Sequence, residues 1–361
     1  MERDFVPSQI DPCLYLKDGM AVLTYVDDCI IVGKSTKAID ALIHSLQNGQ
    51  EGFNLTDEGN IDKFLGVEIT NRVNGEFEMS QPHLISRIVA FLGLEVLGEK
   101  VKHRDRVPAS SVILDKDLEG KPRKKSWKYR TAVGMLSYLQ ANTRPDIAMA
   151  THQTARFTIA PKLSHEQAVD RIGKYLRCTP DRGIIYSPDP SAGLECYADA
   201  DHAGGWNSCT ASDASNLFSR TGYIIKYANC PVYWKSKLQT EIALSTCEAE
   251  YLALSAALRE VLPLITMMNE LKCSFPELHV PKPGFHCKVW EDNQSCIAMA
   301  TSKKFSPRTK HIALKYHHFR SHVGRSITIN YVDTLKQQAD ILTKPVRDDL
   351  FYKLRFMIMG W

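Results

Sequence analysis

The sequence predicts a mixed α/β protein built from layers of strands and helices. Three observations carry that expectation. Short runs rich in β-branched and aromatic residues recur toward both ends of the chain. Helical spacing of apolar residues dominates the middle. Breaker residues separate the two kinds of element, and strands followed by helices pack as layers.

In chain order, MAVLTYV (20–26) and CIIVG (29–33) read as two strands of a hairpin around Asp27-Asp28. Ser35 stands where an N-cap belongs, ahead of a helix to about Asn48. Phe64 to Thr70 and Phe77 to Ser80 form a second hairpin around Asn74-Gly75, and Gln81 to Leu92 is an amphipathic helix stopped by Gly93. Residues 98–125 read as a polar connection. Helices follow over 127–143, after Pro145 and over 163–177. GIIYS (183–187) and LECYADAD (194–201) are strands, and GYIIKY (222–227) with VYWKS (232–236) makes a hairpin around Asn229. A helix from Ser245 is expected to end at Pro263. HCKVW (286–290) and ITINYV (327–332) are strands, each leading into a helix; the second helix is short and runs through Asp340.

Composition narrows the function classes. With 361 residues, 44% of them hydrophobic and 24% charged, the chain can form two or three cored domains and is not a disordered or fibrous protein. No run of 18 uninterrupted apolar residues occurs, so no membrane span is expected. The N-terminus lacks a signal-peptide pattern and the ten cysteines contain no C-x-x-C pair, so a reduced intracellular protein is expected. Nucleotide-binding glycine loops and the G-x-S-x-G elbow are also missing.

The net charge of +4 is unevenly spread. Residues 98–179 hold 17 Lys/Arg against 8 Asp/Glu, a local +9, which leaves −5 for the remainder. Lys121, Arg123, Lys124, Lys125, Lys128 and Arg130 concentrate within KPRKKSWKYR (121–130), a candidate contact for a phosphate backbone. A solvated linker is the other reading.

Two sets of carboxylates could carry chemistry. Asp27-Asp28 could coordinate Mg²⁺ together with nucleotide phosphates, or could simply suit a turn. Asp199, Asp292 and Asp340 fall at element ends, and Glu248 or Glu250 falls on a helix start. Periodicity does not choose between the two glutamates. Four such acids brought together would require divalent counter-charge, and two ions can cleave a phosphodiester.

Further strings carry a family resemblance. DPCLY (11–15), YVDD (25–28), FLGVEI (64–69), MSQPHLISRI (79–88), YRTAVGMLSYL (129–139) and TRPDIA (143–148) resemble the reverse-transcriptase part of the Pol polyprotein of copia-type LTR retrotransposons. CYADAD with AGGW (196–206), SRTGY (219–223), YWKSKLQ (233–239), STCEAEYLAL (245–254), WEDNQSCI (290–297), TKHI (309–312) and QADILTKP (338–345) resemble its ribonuclease H domain, in family order.

The resemblance implies a partial reverse-transcriptase palm over 1–97 and a basic linker with a helical thumb- or connection-like region over 98–182. It implies a ribonuclease H-like mixed-sheet domain, with helices on both faces, over 183–361. It assigns Asp199, Glu250 (not Glu248), Asp292 and Asp340 as catalytic metal ligands. Two Mg²⁺ ions, with Mn²⁺ as an alternative, would support cleavage of the RNA strand of an RNA–DNA hybrid. Other retrotransposon proteins are implied partners, in cytoplasmic particles or the nucleus. Asp27 and Asp28 match the polymerase pair, but Asp4, Asp11 and Asp18 lack the context of the third polymerase aspartate. No templated nucleotide addition by the isolated chain is therefore expected. The sequence departs from the family at His202, where tryptophan is usual, and in an insertion-like stretch at 207–218. The alternative class is a degenerate, non-enzymatic relic that at most binds nucleic acid.

Overall fold

The computed structural model describes residues 4–48, 52–95, 103–206, 214–278, 284–302, 312 and 314–361. Most of the insertion-like stretch (207–213), the start of the polar connection and residues 309–311 of TKHI lie outside them. Two compact units divide the chain, 1–62 with 259–286, and 63–258 with 287–361.

The first unit carries an antiparallel sheet in the order β1 (Val6–Pro7), β2 (Leu14–Lys17), β3 (Met20–Tyr25), β4 (Asp28–Gly33), followed by helix α1 (Thr36–Asn48). It also holds the second part of a long helix described below. The Ser274 carbonyl of that helix accepts from Gly19 N at 2.7 Å, and Glu270 accepts from Ser8 Oγ at 2.5 Å.

In the second unit, β5 (Lys63–Phe64) and β6 (Val67–Asn71) form a hairpin. The sequence suggested one strand over 64–70. Leu65 and Gly66 break it, with φ of 49° and 74°, in the left-handed pair that a two-residue turn demands. Strands β7 (Phe77–Ser80) and β8 (Ile184–Tyr186) complete an antiparallel sheet in the order β5-β6-β7-β8. This sheet crosses the 182/183 division, so GIIYS pairs with β7 rather than with the strands that follow it.

Helices α2 (Pro82–Phe91), α3 (Tyr129–Asn142), α4 (Ala148–Ala155) and α5 (Leu163–Arg177) form a helical layer. Their buried faces, with Ile85, Ile88, Leu136, Leu139, Ile172 and Leu176, share one core with residues of the second sheet. That sheet contains β9 (Leu194–Asp201), β10 (Arg220–Tyr227), β11 (Cys230–Leu238), β12 (Cys287–Glu291) and β13 (Ile327–Tyr331), in the order β11-β10-β9-β12-β13. Strands β9, β10 and β11 are antiparallel, whereas β12 lies parallel to both β9 and β13. This is the mixed sheet expected for the last region.

Helix α6 (Thr246–Ser274) does not stop at Pro263. Proline removes one backbone donor from a helix. Here the apolar stripe continues through it, with Val261, Ile265 and Met268 buried, and packing sustains the helix. By length and composition α6 could cross a membrane, but 56% of its most apolar window is buried inside the protein, as in a core helix. Helices α7 (Gln294–Thr301), α8 (Asp340–Thr343) and α9 (Asp348–Met359) complete the described elements. The sequence reading passed over α9. Its signals were Asp348-Asp349 in the first turn, the spacing of Phe351, Leu354 and Ile358, and a left-handed Gly360 cap.

Candidate active site

The four assigned acids reach one region from four elements. Asp199 lies on the central strand β9 and is 1% exposed. Glu250 is on the first turns of α6, Asp292 follows β12, and Asp340 opens α8. One oxygen each from Asp199, Glu250 and Asp292 all lie within 4.8 Å of one another. Asp340 stands outside that trio, and it and Asp199 both lie within 4 Å of the Lys344 ammonium.

The sheet makes room for α8 at Gly222. This glycine is paired with Asp199 across β9 and β10. A Cβ there would fall 2.5 Å from Thr343 Cγ2 and 2.8 Å from Leu342 Cβ, so only glycine lets α8 approach. Gln337 Nε2 donates to the Ala198 carbonyl at 2.9 Å and ties the helix entry to β9. Thr343 Oγ1 donates to Asp199 Oδ2. Lys344 Nζ is 2.9 Å from Asp340 Oδ1 and 3.8 Å from Asp199 Oδ2.

Crowding these acids away from water disfavours their charged forms. Burial pushes the Asp199 carboxyl up, against the opposing Lys344 charge and Thr343 hydrogen bond. Burial and the neighbouring acids push Glu250 well above the ordinary range and Asp340 up to about 7. A fifth acid, Glu291, was missed at the sequence level. It is 0% exposed and pushed well up by burial. The alternation of β12 marks it, because Cys287 and Val289 share its buried face.

The two candidate glutamates of α6 separate clearly. Glu248 Oε2 accepts from Leu244 N at 2.8 Å, and Ser245 Oγ accepts from Glu248 N at 3.1 Å, so Glu248 serves the helix N-terminus. Glu250 Oε2 is buried without a hydrogen-bond partner. That orphaned oxygen and the all-carboxylate donor set fit a hard divalent cation. Ligand oxygens around six-coordinate Mg²⁺ stand about 3–4 Å apart, which falls within the spread of the trio.

The basic stretch is divided. Arg123 Nε pairs with Glu166 at 3.2 Å and its guanidinium lies over Trp127, while Lys125 Nζ pairs with Asp170 at 2.7 Å. The backbone N–H groups of Lys124 and Lys125 also donate to Glu166, so this segment is strapped to α5. Lys121, Lys124, Lys128 and Arg130 are exposed. Asp27 and Asp28 are both exposed; the turn falls at Val26-Asp27, where Val26 has a φ of 52°, one residue earlier than the sequence suggested, and Asp28 pairs with Tyr25 at the start of β4. Among the described residues, no group of three potential ligands includes them. His202 stands 3.1 Å from the Ala243 carbonyl.

The site is thus an acidic cluster on a mixed five-stranded sheet, with a trio of carboxylates that could hold a metal ion. It is 32% identical over 361 residues to a retrovirus-related Pol polyprotein from transposon TNT 1-94 of Nicotiana tabacum, covering 97% of this chain and 25% of that one. It is 31% identical over 353 residues to the Pol polyprotein from transposon RE1 of Arabidopsis thaliana, covering 96% of this chain and 22% of that one. The chain belongs to the Pol polyproteins of copia-type LTR retrotransposons. It spans about a quarter of the length of these curated relatives. Among solved structures, LC11-RNase H1 in complex with RNA/DNA hybrid is similar over 42% of this chain and 93% of that one, at 18% identity and a TM-score of 0.28. No family model matches the chain.

Proposed function

We propose that this chain hydrolyses the RNA strand of RNA–DNA hybrids in a Mg²⁺-dependent reaction, leaving a 3′-hydroxyl and a 5′-phosphate. The observation that carries the proposal is the convergence of Asp199, Glu250 and Asp292 oxygens within 4.8 Å, with Glu250 Oε2 buried and unpartnered. Asp199 would face both ions, Glu250 and Asp292 would hold one, and Asp340 would complete the other. Bound Mg²⁺, or Mn²⁺ in its place, supplies water activation and stabilisation of the leaving oxygen. Thr343 and Gln337 fix the acids before substrate arrives, because a donor to Asp199 and a tie to β9 restrain the site's rotamers. The Asp27-Asp28 hairpin is read as part of a polymerase palm. A hybrid labelled on one strand at a time tests the function: Mg²⁺ should produce RNA fragments only. Intact RNA, or equal cutting of both strands, would refute it.

Glu250→Gln should remove cleavage, whereas Glu248→Gln should retain most of it. The second change weakens a helix-terminal hydrogen bond and should cost about 1 kcal/mol of stability. Rates and urea midpoints of the two variants, measured side by side, check the difference. A Glu248 variant that loses cleavage while the Glu250 variant keeps it would reverse the assignment.

Hybrid geometry is read through backbone and 2′-hydroxyl contacts, and the exposed cations of 121–130 are proposed to supply the backbone contacts. Replacing Lys121, Lys124, Lys128 and Arg130 by Ala should flatten the salt dependence of hybrid affinity by up to about four log units per log unit of salt. Arg123 and Lys125 are left in place because their ion pairs hold the strap. An unchanged slope would return the stretch to a solvated linker.

A further inference from the structure

The acid cluster carries a cation of its own. Lys344 lies four residues after Asp340, and its ammonium reaches Asp340 Oδ1 at 2.9 Å and Asp199 Oδ2 at 3.8 Å. Asp340 is thus drawn onto an amine at the edge of the site, while Asp199, Glu250 and Asp292 converge without it. The two halves of the cluster differ in charge balance. Glu250 Oε2 in the trio and Oε2 of the buried Glu291 have no hydrogen-bond partner, whereas the Asp199–Asp340 edge is bridged by the Lys344 ammonium. The Lys344 side chain is 36% exposed, so solvent and ions can reach it.

We propose that Lys344 is a resident counter-ion that occupies the Asp199–Asp340 edge, so that one divalent ion binds readily at the trio and a second must displace the ammonium. The inference rests on the metal-nuclease reading and adds a rule of occupancy to it. Lys344 is a positioning residue, since it acts through Asp199 and Asp340. An ammonium between two carboxylates and an incoming dication compete for the same oxygens, and unit charges a few ångströms apart at a protein surface easily change affinity tenfold.

Calorimetric titration of the full chain with MnCl₂ tests this. Wild type should take up one Mn²⁺ in a strong first step and a second only weakly. Lys344→Met should bind the second ion at least about tenfold more tightly, and Lys344→Arg should keep the wild-type pattern. Identical stoichiometry and affinity in all three would overturn the proposal. A measurement on wild type alone covers a variant that does not fold. Acetylation of Lys344 by acetic anhydride, followed by mass spectrometry, should accelerate at Mn²⁺ concentrations that fill the second step. A rate indifferent to Mn²⁺ would also overturn it. Asp199→Asn separates the two levels. If it leaves Mn²⁺ uptake unaltered, the metal-nuclease reading falls and this inference with it. If it abolishes uptake while Lys344→Met matches wild type, only the role of Lys344 falls.

Discussion

Asp199→Asn and Asp292→Asn are each expected to lower hybrid cleavage by about 1,000-fold or more while the chain stays folded. Losing a ligand that places the ion removes several kcal/mol of transition-state stabilisation, and each 1.36 kcal/mol is a factor of ten. Asparagine keeps the shape and discards the charge. For Asp199 the effect on stability should run opposite to the effect on activity. A carboxyl whose folded pKa lies above its unfolded value stabilises the fold when protonated, and that stability is lost as pH rises through the folded value. Asp199 is pushed up chiefly by burial, so in EDTA at neutral pH the Asn variant should melt higher than wild type. Asp340 behaves in the same sense. In EDTA its contribution should be fully present below its ordinary 3.8 and lost as pH rises through about 7. Mg²⁺ should narrow the difference between wild type and Asp199→Asn, since an ion that binds only the folded acid cluster stabilises it by linkage. Melting curves with and without Mg²⁺ check both signs. A variant that unfolds in EDTA would show that Asp199 holds the fold rather than the ion.

Arg144→Met is expected to cost about 3–5 kcal/mol, the largest single loss of stability outside the acid cluster. The Arg144 and Asp146 side chains are both 0% exposed. Arg144 Nε and Nη2 donate to Asp146 at 3.0 and 2.8 Å, and Nη2 also donates to Thr179 Oγ1 at 2.9 Å. Tyr175 Oη donates to Asp146 Oδ2 at 2.5 Å, and the rings of Tyr175 and Trp361 lie over the guanidinium. Removing Arg144 strands a buried carboxylate, which is worse than never having had the pair. The double variant Arg144→Met, Asp146→Leu should recover most of the loss, and urea denaturation of the cycle measures the coupling. Additive losses would deny that the two residues form one unit.

What the sequence disclosed follows the range of the forces involved. Hairpin turns and helix caps are local, so β3–β4, β10–β11, α3 and α5 were legible within a few residues. The break at Leu65-Gly66 was not, because leucine rarely adopts positive φ; there the Leu65 carbonyl accepts from Tyr138 Oη at 2.6 Å, a partner far along the chain. Pro263 misled because the packing that carries α6 past it is tertiary. For the site, element ends marked Asp199, Asp292 and Asp340, and the resemblance chose Glu250 over Glu248 where periodicity could not. Glu291 was readable from strand alternation but was overshadowed by its neighbour Asp292. Arg123 and Lys125 looked like nucleic-acid contacts because Glu166 and Asp170, which hold them, lie some 40 residues on.

The central claim is that acids from β9, α6, the end of β12 and α8 make one metal site. Fe²⁺ bound in place of Mg²⁺, in the presence of ascorbate and hydrogen peroxide, cuts the polypeptide beside the ion. The account predicts backbone cuts clustered around Asp199, Glu250, Asp292 and Asp340 that vanish with excess Mg²⁺ and in Asp199→Asn. Cuts confined to other segments, such as the Asp27-Asp28 hairpin, or cuts unaffected by Asp199→Asn, would contradict it.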